Sequence, residues 1–92
     1  MAEQQLSFLK FLPQASRHQL KYILEHITPA QLNAIGEVCY NLLYGTTDVS
    51  ELKRHRHIIR LLGDKKIPAI KRRVIVHQHP NVVVRVIRAV LP

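Results

Sequence analysis

Apolar residues recur along the first third of the chain at the three- and four-residue spacings typical of amphipathic helices. The apolar positions between Leu6 and Leu12 predict a short first helix. Pro13 should end this helix, because proline disfavours the helical conformation in the residue before it. A second helix is predicted from Ser16 to Ile27, where the apolar residues share one helical face.

The third helix is predicted from a start signal at Thr28, where a capping hydroxyl is followed by Pro29 and by a glutamine that can reach back. Its apolar face indicates the central core helix. Its polar face carries Asn33, Glu37 and Asn41. Gly45 is expected to end it in the left-handed conformation. Gly36 lies at the edge of the apolar face, where it either allows a close helix crossing or is merely tolerated.

A fourth helix is predicted after a turn at residues 46–49, with Ser50 as its cap and Gly63 at its end. This helix is sharply amphipathic at about 100° per residue. The inward face comprises Leu52, His55, Ile58, Ile59 and Leu62, and the outward face comprises Lys53, Arg56, His57 and Arg60. A charged turn, Asp64-Lys65-Lys66, follows.

A fifth helix is predicted to start at Pro68. We expect its inward side to comprise Ile67, Ile70 and Val74, and its outward or flanking side to comprise Lys71, Arg72 and Arg73. The sequence His79-Pro80-Asn81 then breaks the chain. Residues 82–91 are ambiguous, because their β-branched side chains favour a strand while their spacing favours a helix. A helix is the preferred prediction, since it places Asn81, Arg85 and Arg88 on one stripe.

These elements predict an all-α fold, a single small bundle of five to six short helices in one domain that covers residues 1–92. Within it we distinguish a neutral half (1–47), a basic helical hairpin (48–79) and an apolar, helical tail (80–92). Apolar residues make up 47% of the chain, which is typical of a folded domain rather than a disordered basic tail.

Charge is distributed very unevenly along the chain. Eleven Lys and Arg stand against three Asp and Glu from residue 48 onward, which accounts for the entire net charge of +8, and no acid occurs from Lys65 to Pro92. The densest stretch contains Lys53, Arg54, Arg56, Arg60, Lys65, Lys66, Lys71, Arg72 and Arg73. A solvated charged face is the ordinary explanation for basic helices, but such a face normally interleaves acids to limit self-repulsion. We therefore expect an anionic partner.

Double-stranded DNA is the partner that this charge pattern favours. Sequence-specific reading needs Asn, Gln and Arg presented together by one recognition helix, whereas this stretch is almost purely cationic. All five Tyr and Phe lie in the neutral half, so we expect no stacking platform for single strands beside the cations. Nonspecific contact with phosphates through the nine cations is the predicted mode of binding.

Catalytic, metal and cofactor chemistry find little support in the sequence. The paired histidines His55/His57 and His77/His79 are two residues apart, so on a regular helix they point about 200° away from each other and cannot chelate. The single cysteine, Cys39, is expected to be a buried, inert thiol. We therefore predict a non-enzyme without a metal or cofactor. One cysteine, no secretory signal and no apolar run of about 20 residues favour an intracellular protein.

Three segments carry a resemblance that spans about Ile27 to Val76: "IGEVCYNLLYG", "LKRHRHIIRLLGDKK" and "IPAIKRRVIV". In these segments the chain resembles small basic proteins of Polinton (Maverick) elements and adintoviruses, which are compared with adenovirus core protein X. The resemblance implies a virion protein packaged with double-stranded DNA, with the nine cations as its basic stretch, capsid proteins as further partners, and a location in the virion and host nucleus. Family members often continue into a glycine- and leucine-rich tail, whereas this chain has "HQHPNVVVRVIRAVLP".

Two other classes of function stay open at this point. A helical protein-interaction module of the death-fold kind would dock an acidic partner or self-assemble through opposed charged faces. A membrane-active minor virion protein would place residues 82–91 in a lipid interface, with their arginines against anionic headgroups.

Overall fold

Caps and prolines set the helix boundaries of this chain. The computed structural model describes residues 3–45 and 50–91. Over these residues the chain forms six α-helices: α1 (Glu3–Phe11), α2 (Arg17–Glu25), α3 (Pro29–Tyr44), α4 (Arg56–Gly63), α5 (Ala69–Gln78) and α6 (Pro80–Val90). Two 3₁₀ segments, Leu12–Gln14 and Ser50–His55, precede α2 and α4, and no strand occurs in the part of the chain described. The predicted all-α bundle is confirmed.

Matching capping boxes close the starts of α2 and α3. The Thr28 backbone N–H donates to Gln31 Oε1 at 3.0 Å, and the Gln31 N–H donates to Thr28 Oγ1 at 3.1 Å, as the sequence predicts. Ser16 and Gln19 make the same two bonds at 2.9 and 3.2 Å. Each box satisfies two backbone donors that the first helical turn leaves without partners.

Gly45 ends α3 without the left-handed conformation that the sequence predicted. Its φ is −89° and its ψ is −171°, which is extended backbone, so that prediction is wrong. A Cβ at this position would overlap the Asn41 carbonyl oxygen, which accepts a hydrogen bond from the Gly45 N–H at 2.7 Å. Glycine therefore provides room beside that carbonyl. The turn predicted at residues 46–49 lies outside the described residues.

The core is built around α3, and all six helices contribute buried side chains to it. α3 contacts α1, α4, α5 and α6. Its buried residues are Leu32, Ala34, Ile35, Val38, Cys39 and Leu42. This agrees with the prediction of α3 as the central core helix.

The segment with ambiguous patterning, residues 82–91, is a core helix. α6 contacts α3 and buries Val82, Val83, Val86 and Ile87, whereas Arg85 and Arg88 are exposed with Asn81, as the helical reading predicts. An apolar tail in a lipid interface would thus require α6 to leave the core. Within the residues described, no helix has both the length and the apolar character needed to cross a bilayer.

The predicted fourth helix is two elements. Residues 50–55 form the 3₁₀ segment, and the α-helix begins only at Arg56. The predicted faces are nevertheless correct: Leu52, Ile59 and Leu62 are buried, and every outward residue is exposed. This amphipathicity holds the cationic side of α4 toward solvent.

The predicted inward side of α5 is wrong. Ile70 is 79% exposed and Val74 is 48% exposed, whereas Ile75 and Val76 are 6% and 0% exposed. The apolar residues of α5 are spread around the helix instead of forming one stripe. Its rotation is therefore set by its neighbours α2, α3, α4 and α6, which surround the side that carries Ile75 and Val76.

Candidate nucleic-acid interface

Seven of the nine predicted cations are exposed on one continuous stretch of chain, from the second 3₁₀ segment to the first turn of α5. We call this set the basic surface: Lys53, Arg54, Arg56, Arg60, Lys65, Lys66 and Lys71. Burial of Ile59 and Leu62 on the other side of α4 fixes the outward direction of its cationic face. The fold thus presents these charges to solvent from a rigid support.

The cations of the basic surface have no carboxylate partner among the described residues. Across residues 3–45 and 50–91, no lysine or arginine lies within 4.0 Å of a carboxylate, and the one ion pair there joins His77 Nε2 to Glu25 Oε1 at 3.1 Å. Asp64 is the acid within the basic stretch, and its Oδ1 accepts the Lys66 backbone N–H at 2.9 Å instead of a side chain. The positive surface is therefore left for mobile counterions, which a polyanion can displace.

Arg72 and Arg73 differ from the other seven predicted cations because both are half-buried and bound to backbone. The Arg72 Nε donates to the Ile67 carbonyl at 3.1 Å, which closes the start of α5. The Arg73 Nη1 donates to the Ile27 carbonyl and so ties α5 to the segment between α2 and α3. These two side chains support the fold, and we leave them out of the basic surface.

A groove of about 780 Å³ opens between α3, the end of α4 and the start of α5. We call it the tyrosine groove, and it is lined by Asn33, Gly36, Glu37, Tyr40, Asn41, Leu62, Gly63, Lys65 and Arg72. Tyr40 is 51% exposed, and its ring centroid lies 4.8 Å from that of Tyr44. Folding therefore brings an accessible aromatic ring beside two cations.

One aromatic residue of the neutral half lies beside cations in the fold, although no stacking platform for single strands was expected on the basic face. Tyr40 belongs to the neutral half of the sequence, yet it lines the same groove as Lys65 and Arg72. One signal was present in the sequence, since Asn33, Glu37 and Tyr40 follow the polar face of α3 at helical spacing. The packing of α4 and α5 on α3 determines which cations reach that face.

Two glycines allow α4 to approach α3 closely beneath this groove. A Cβ on Gly36 would lie 3.0 Å from the Leu62 carbonyl oxygen, and a Cβ on Gly63 would lie 3.0 Å from the Tyr40 backbone nitrogen. Of the two explanations for Gly36, the structure supports the close crossing. The glycines therefore fix the distance between the tyrosine and the basic residues at the end of α4.

The cysteine is remote from this surface. Cys39 is 0% exposed, and burial raises the pKa of its thiol to about 12, so the thiol is neutral and inaccessible. Over the described ranges, no group of three His, Cys, Asp or Glu is arranged to hold a metal ion. The groups that the site offers to a ligand are cations, an aromatic ring, amides and the carboxylate of Glu37.

No known protein family, curated protein or solved structure matches this chain.

Proposed function

We propose that this protein binds double-stranded DNA without sequence preference through the basic surface. The observation that carries the proposal is the set of seven exposed cations that have no carboxylate partner within residues 3–45 and 50–91, held outward by the buried side of α4. Lysine and arginine side chains bind phosphates by charge and by hydrogen bonds that do not depend on base sequence. Release of counterions from the DNA then supplies the binding free energy.

The biological setting that we propose is a virion core, where the protein would be a DNA-condensing accessory protein of a virus or a virus-like mobile element. The resemblance to the small basic proteins of Polinton elements and adintoviruses supports this setting. It also supports a location in the virion and the host nucleus, with capsid proteins as further partners. Nonspecific phosphate contact suits such a role, because packaged DNA must be covered regardless of its sequence.

Salt dependence of binding tests the proposal. Each phosphate contact should contribute about −0.9 to the slope of log affinity against log salt concentration. We therefore expect five to seven contacts from the basic surface to give a slope of about −4.5 to −6.3 for a labelled duplex in fluorescence anisotropy. Binding that does not weaken with salt would overturn the proposal.

Charge-neutral variants locate the contact. The double variant Arg56→Gln/Arg60→Gln should make the slope shallower by about 1.8, since it removes two contacts. Lys10→Gln is the control, because Lys10 is an exposed cation on α1 and lies outside the basic surface. Equal slopes for the double variant and the control would show that α4 does not contact DNA.

A protein-interaction module is the second candidate, and the exposed apolar residues of α5 favour it. Ile70 and Val74 are one helical turn apart and flank Lys71, so an apolar patch borders the basic surface. A second copy of the chain is the occupant that this patch would take. Light scattering of the free protein should then show concentration-dependent association that Ile70→Ser abolishes, whereas a monomer at all concentrations counts against this candidate.

A further inference from the structure

A second groove, of about 720 Å³, lies between the start of α2, the end of α5 and α6. We call it the α2–α6 groove. Its cationic lining residues are Arg17, Lys21, Arg85 and Arg88, and His77 lines it as well. The buried side chains of Leu12 and Leu20 lie at its base, and these five residues are exposed. None of its lining residues belongs to the basic surface or to the tyrosine groove.

Folding alone assembles this charge. Arg17 and Lys21 are one turn apart on α2, in the half of the sequence that is neutral overall, whereas Arg85 and Arg88 lie more than sixty residues later on α6. Like charges one turn apart on a helix destabilise it by a few tenths of a kcal/mol. Two such pairs facing one groove indicate that an anion belongs between them.

Among the described residues, no Asp or Glu side chain lines the groove itself. Glu25 is the nearby acid, and it partly offsets the charge of one wall: its Oε1 contacts His77 at 3.1 Å, and its charge also interacts with Lys21. The Arg88 Nη2 donates to the Pro13 carbonyl at 3.3 Å, which orients this guanidinium across the groove and leaves its other N–H donors for a ligand.

The helix termini add to the positive potential. Pro80 and Asn81 line the groove from the first turn of α6, and Arg17 lines it from the first turn of α2. The positive ends of two helix dipoles therefore lie at the groove, each equivalent to about half an elementary charge. The C-terminus of α5, with His77 and Gln78, lies there too and offsets one of them, so the net contribution is about one positive helix end.

From this arrangement we infer that the α2–α6 groove is a second binding site for the DNA phosphate backbone, so that one protein molecule holds two DNA segments. The inference rests on the proposed function and deepens it, because bridging of duplexes is a direct way to condense them. Phosphate suits the groove because arginine guanidinium groups bind phosphate oxygens through paired N–H donors. The molecule is about 30 Å across and the two sites share no residue, so we expect each site to hold a separate duplex.

Bridging is measured by the capture of a fluorescent duplex on beads that carry an unlabelled duplex, with the protein as the link. Arg85→Gln/Arg88→Gln should lower capture by about tenfold, since it removes two phosphate contacts. Arg17→Gln/Lys21→Gln should lower capture by a similar factor, because these two residues line the groove from α2. In both variants, the affinity for a single short duplex, which the basic surface supplies, should change by less than threefold. Far-UV circular dichroism checks that both variants remain folded.

The matched comparison is Arg56→Gln/Arg60→Gln, which removes the same charge from the basic surface and should weaken short-duplex binding. If both groove variants capture DNA like the wild type, the second site is refuted while the proposed function stands. If the wild type binds no duplex, both fail together. Displacement of DNA from the groove by polyglutamate at equal charge would identify an acidic protein as the occupant and overturn the inference. The inference would also be overturned if the wild-type protein self-associated and the groove variants were monomeric, because the groove would then bind a second copy of the chain.

Discussion

Replacement of Gly63 by alanine tests the close contact between α3 and α4 on which the geometry of the tyrosine groove depends. An added Cβ would lie 3.0 Å from the Tyr40 nitrogen, 3.2 Å from the Tyr40 Cα and 3.3 Å from the Cys39 carbonyl carbon. All three atoms are backbone of the central helix, so they cannot move away as a flexible side chain can. The added methyl group must therefore push α4 off α3.

The magnitude follows from two opposing terms. Overpacking of a close contact costs about 1–3 kcal/mol. Alanine recovers at most about 1 kcal/mol of helix propensity, and less at Gly63 because it is the last residue of α4. We expect Gly63→Ala to lower the free energy of unfolding by about 1–2 kcal/mol. The melting temperature should then fall by about 4–8 °C per kcal/mol for a chain of this size.

Gly36 provides the internal comparison, because the overpacking cost and the gain in helix propensity are more nearly equal there than at Gly63. It lies inside α3, where alanine gains the full propensity of about 1 kcal/mol. Its Cβ would meet one backbone atom, the Leu62 oxygen at 3.0 Å, and the movable Arg72 side chain at 3.5 Å. The gain in helix propensity and the cost of overpacking should nearly cancel. The free energy of unfolding of Gly36→Ala should therefore lie within about 1 kcal/mol of the wild-type value.

Urea unfolding followed by far-UV circular dichroism measures both variants. Glu37→Ala, at an exposed position of α3, is the control and should change stability by about 0.5 kcal/mol or less. If the urea midpoint of Gly63→Ala equals or exceeds that of the wild type, and the dependence of unfolding free energy on urea is unchanged, the close contact is refuted. If Gly36→Ala lowers the free energy of unfolding as much as Gly63→Ala does, the predicted difference between the two sites is wrong.

Three further predictions concern individual residues. The hydrogen bond from His77 lowers the pKa of Glu25 below its ordinary value of 4.5, so its stabilising effect is present above that value and is lost as the pH falls. The stability difference between the wild type and Glu25→Gln, measured by thermal melts from about pH 6 to about pH 3, should therefore narrow on acidification. Cys39 should react with a thiol reagent only as fast as the protein unfolds, since burial holds it inaccessible and neutral. Thr28→Ala should cost about 1 kcal/mol in urea unfolding, because it removes the cap from the Gln31 N–H.

Each of the predictions for Glu25, Cys39 and Thr28 would be contradicted by a specific result. A difference at Glu25 that stays constant or widens toward acid would show that its carboxylate gains nothing from His77. Labelling of Cys39 at the rate of a free thiol in native buffer would contradict its burial. For the cap, Thr28→Ser is the control that keeps the hydroxyl, and equal losses in both variants would show that the bond to Gln31 is not the cause.

The sequence by itself determined several helix ends and the buried faces of most helices. Hydroxyl caps and prolines act on the backbone within one turn, so Thr28 and Pro13 predicted helix ends without tertiary information. Where apolar residues form one stripe, as in α3, α4 and α6, the buried face was also predictable. The concentration of charge from residue 48 onward was likewise visible in the sequence.

Tertiary structure decided the rest. The apolar residues of α5 lie on several sides of the helix, so only its neighbours select Ile75 and Val76 for the core over Ile70 and Val74. The tyrosine groove and the α2–α6 groove each combine residues from helices that are distant in sequence. Local patterns report which face of a helix avoids water, but they carry no information on which other helix will cover or border that face. The surface around Tyr40 and the cationic walls of the α2–α6 groove are therefore products of helix packing.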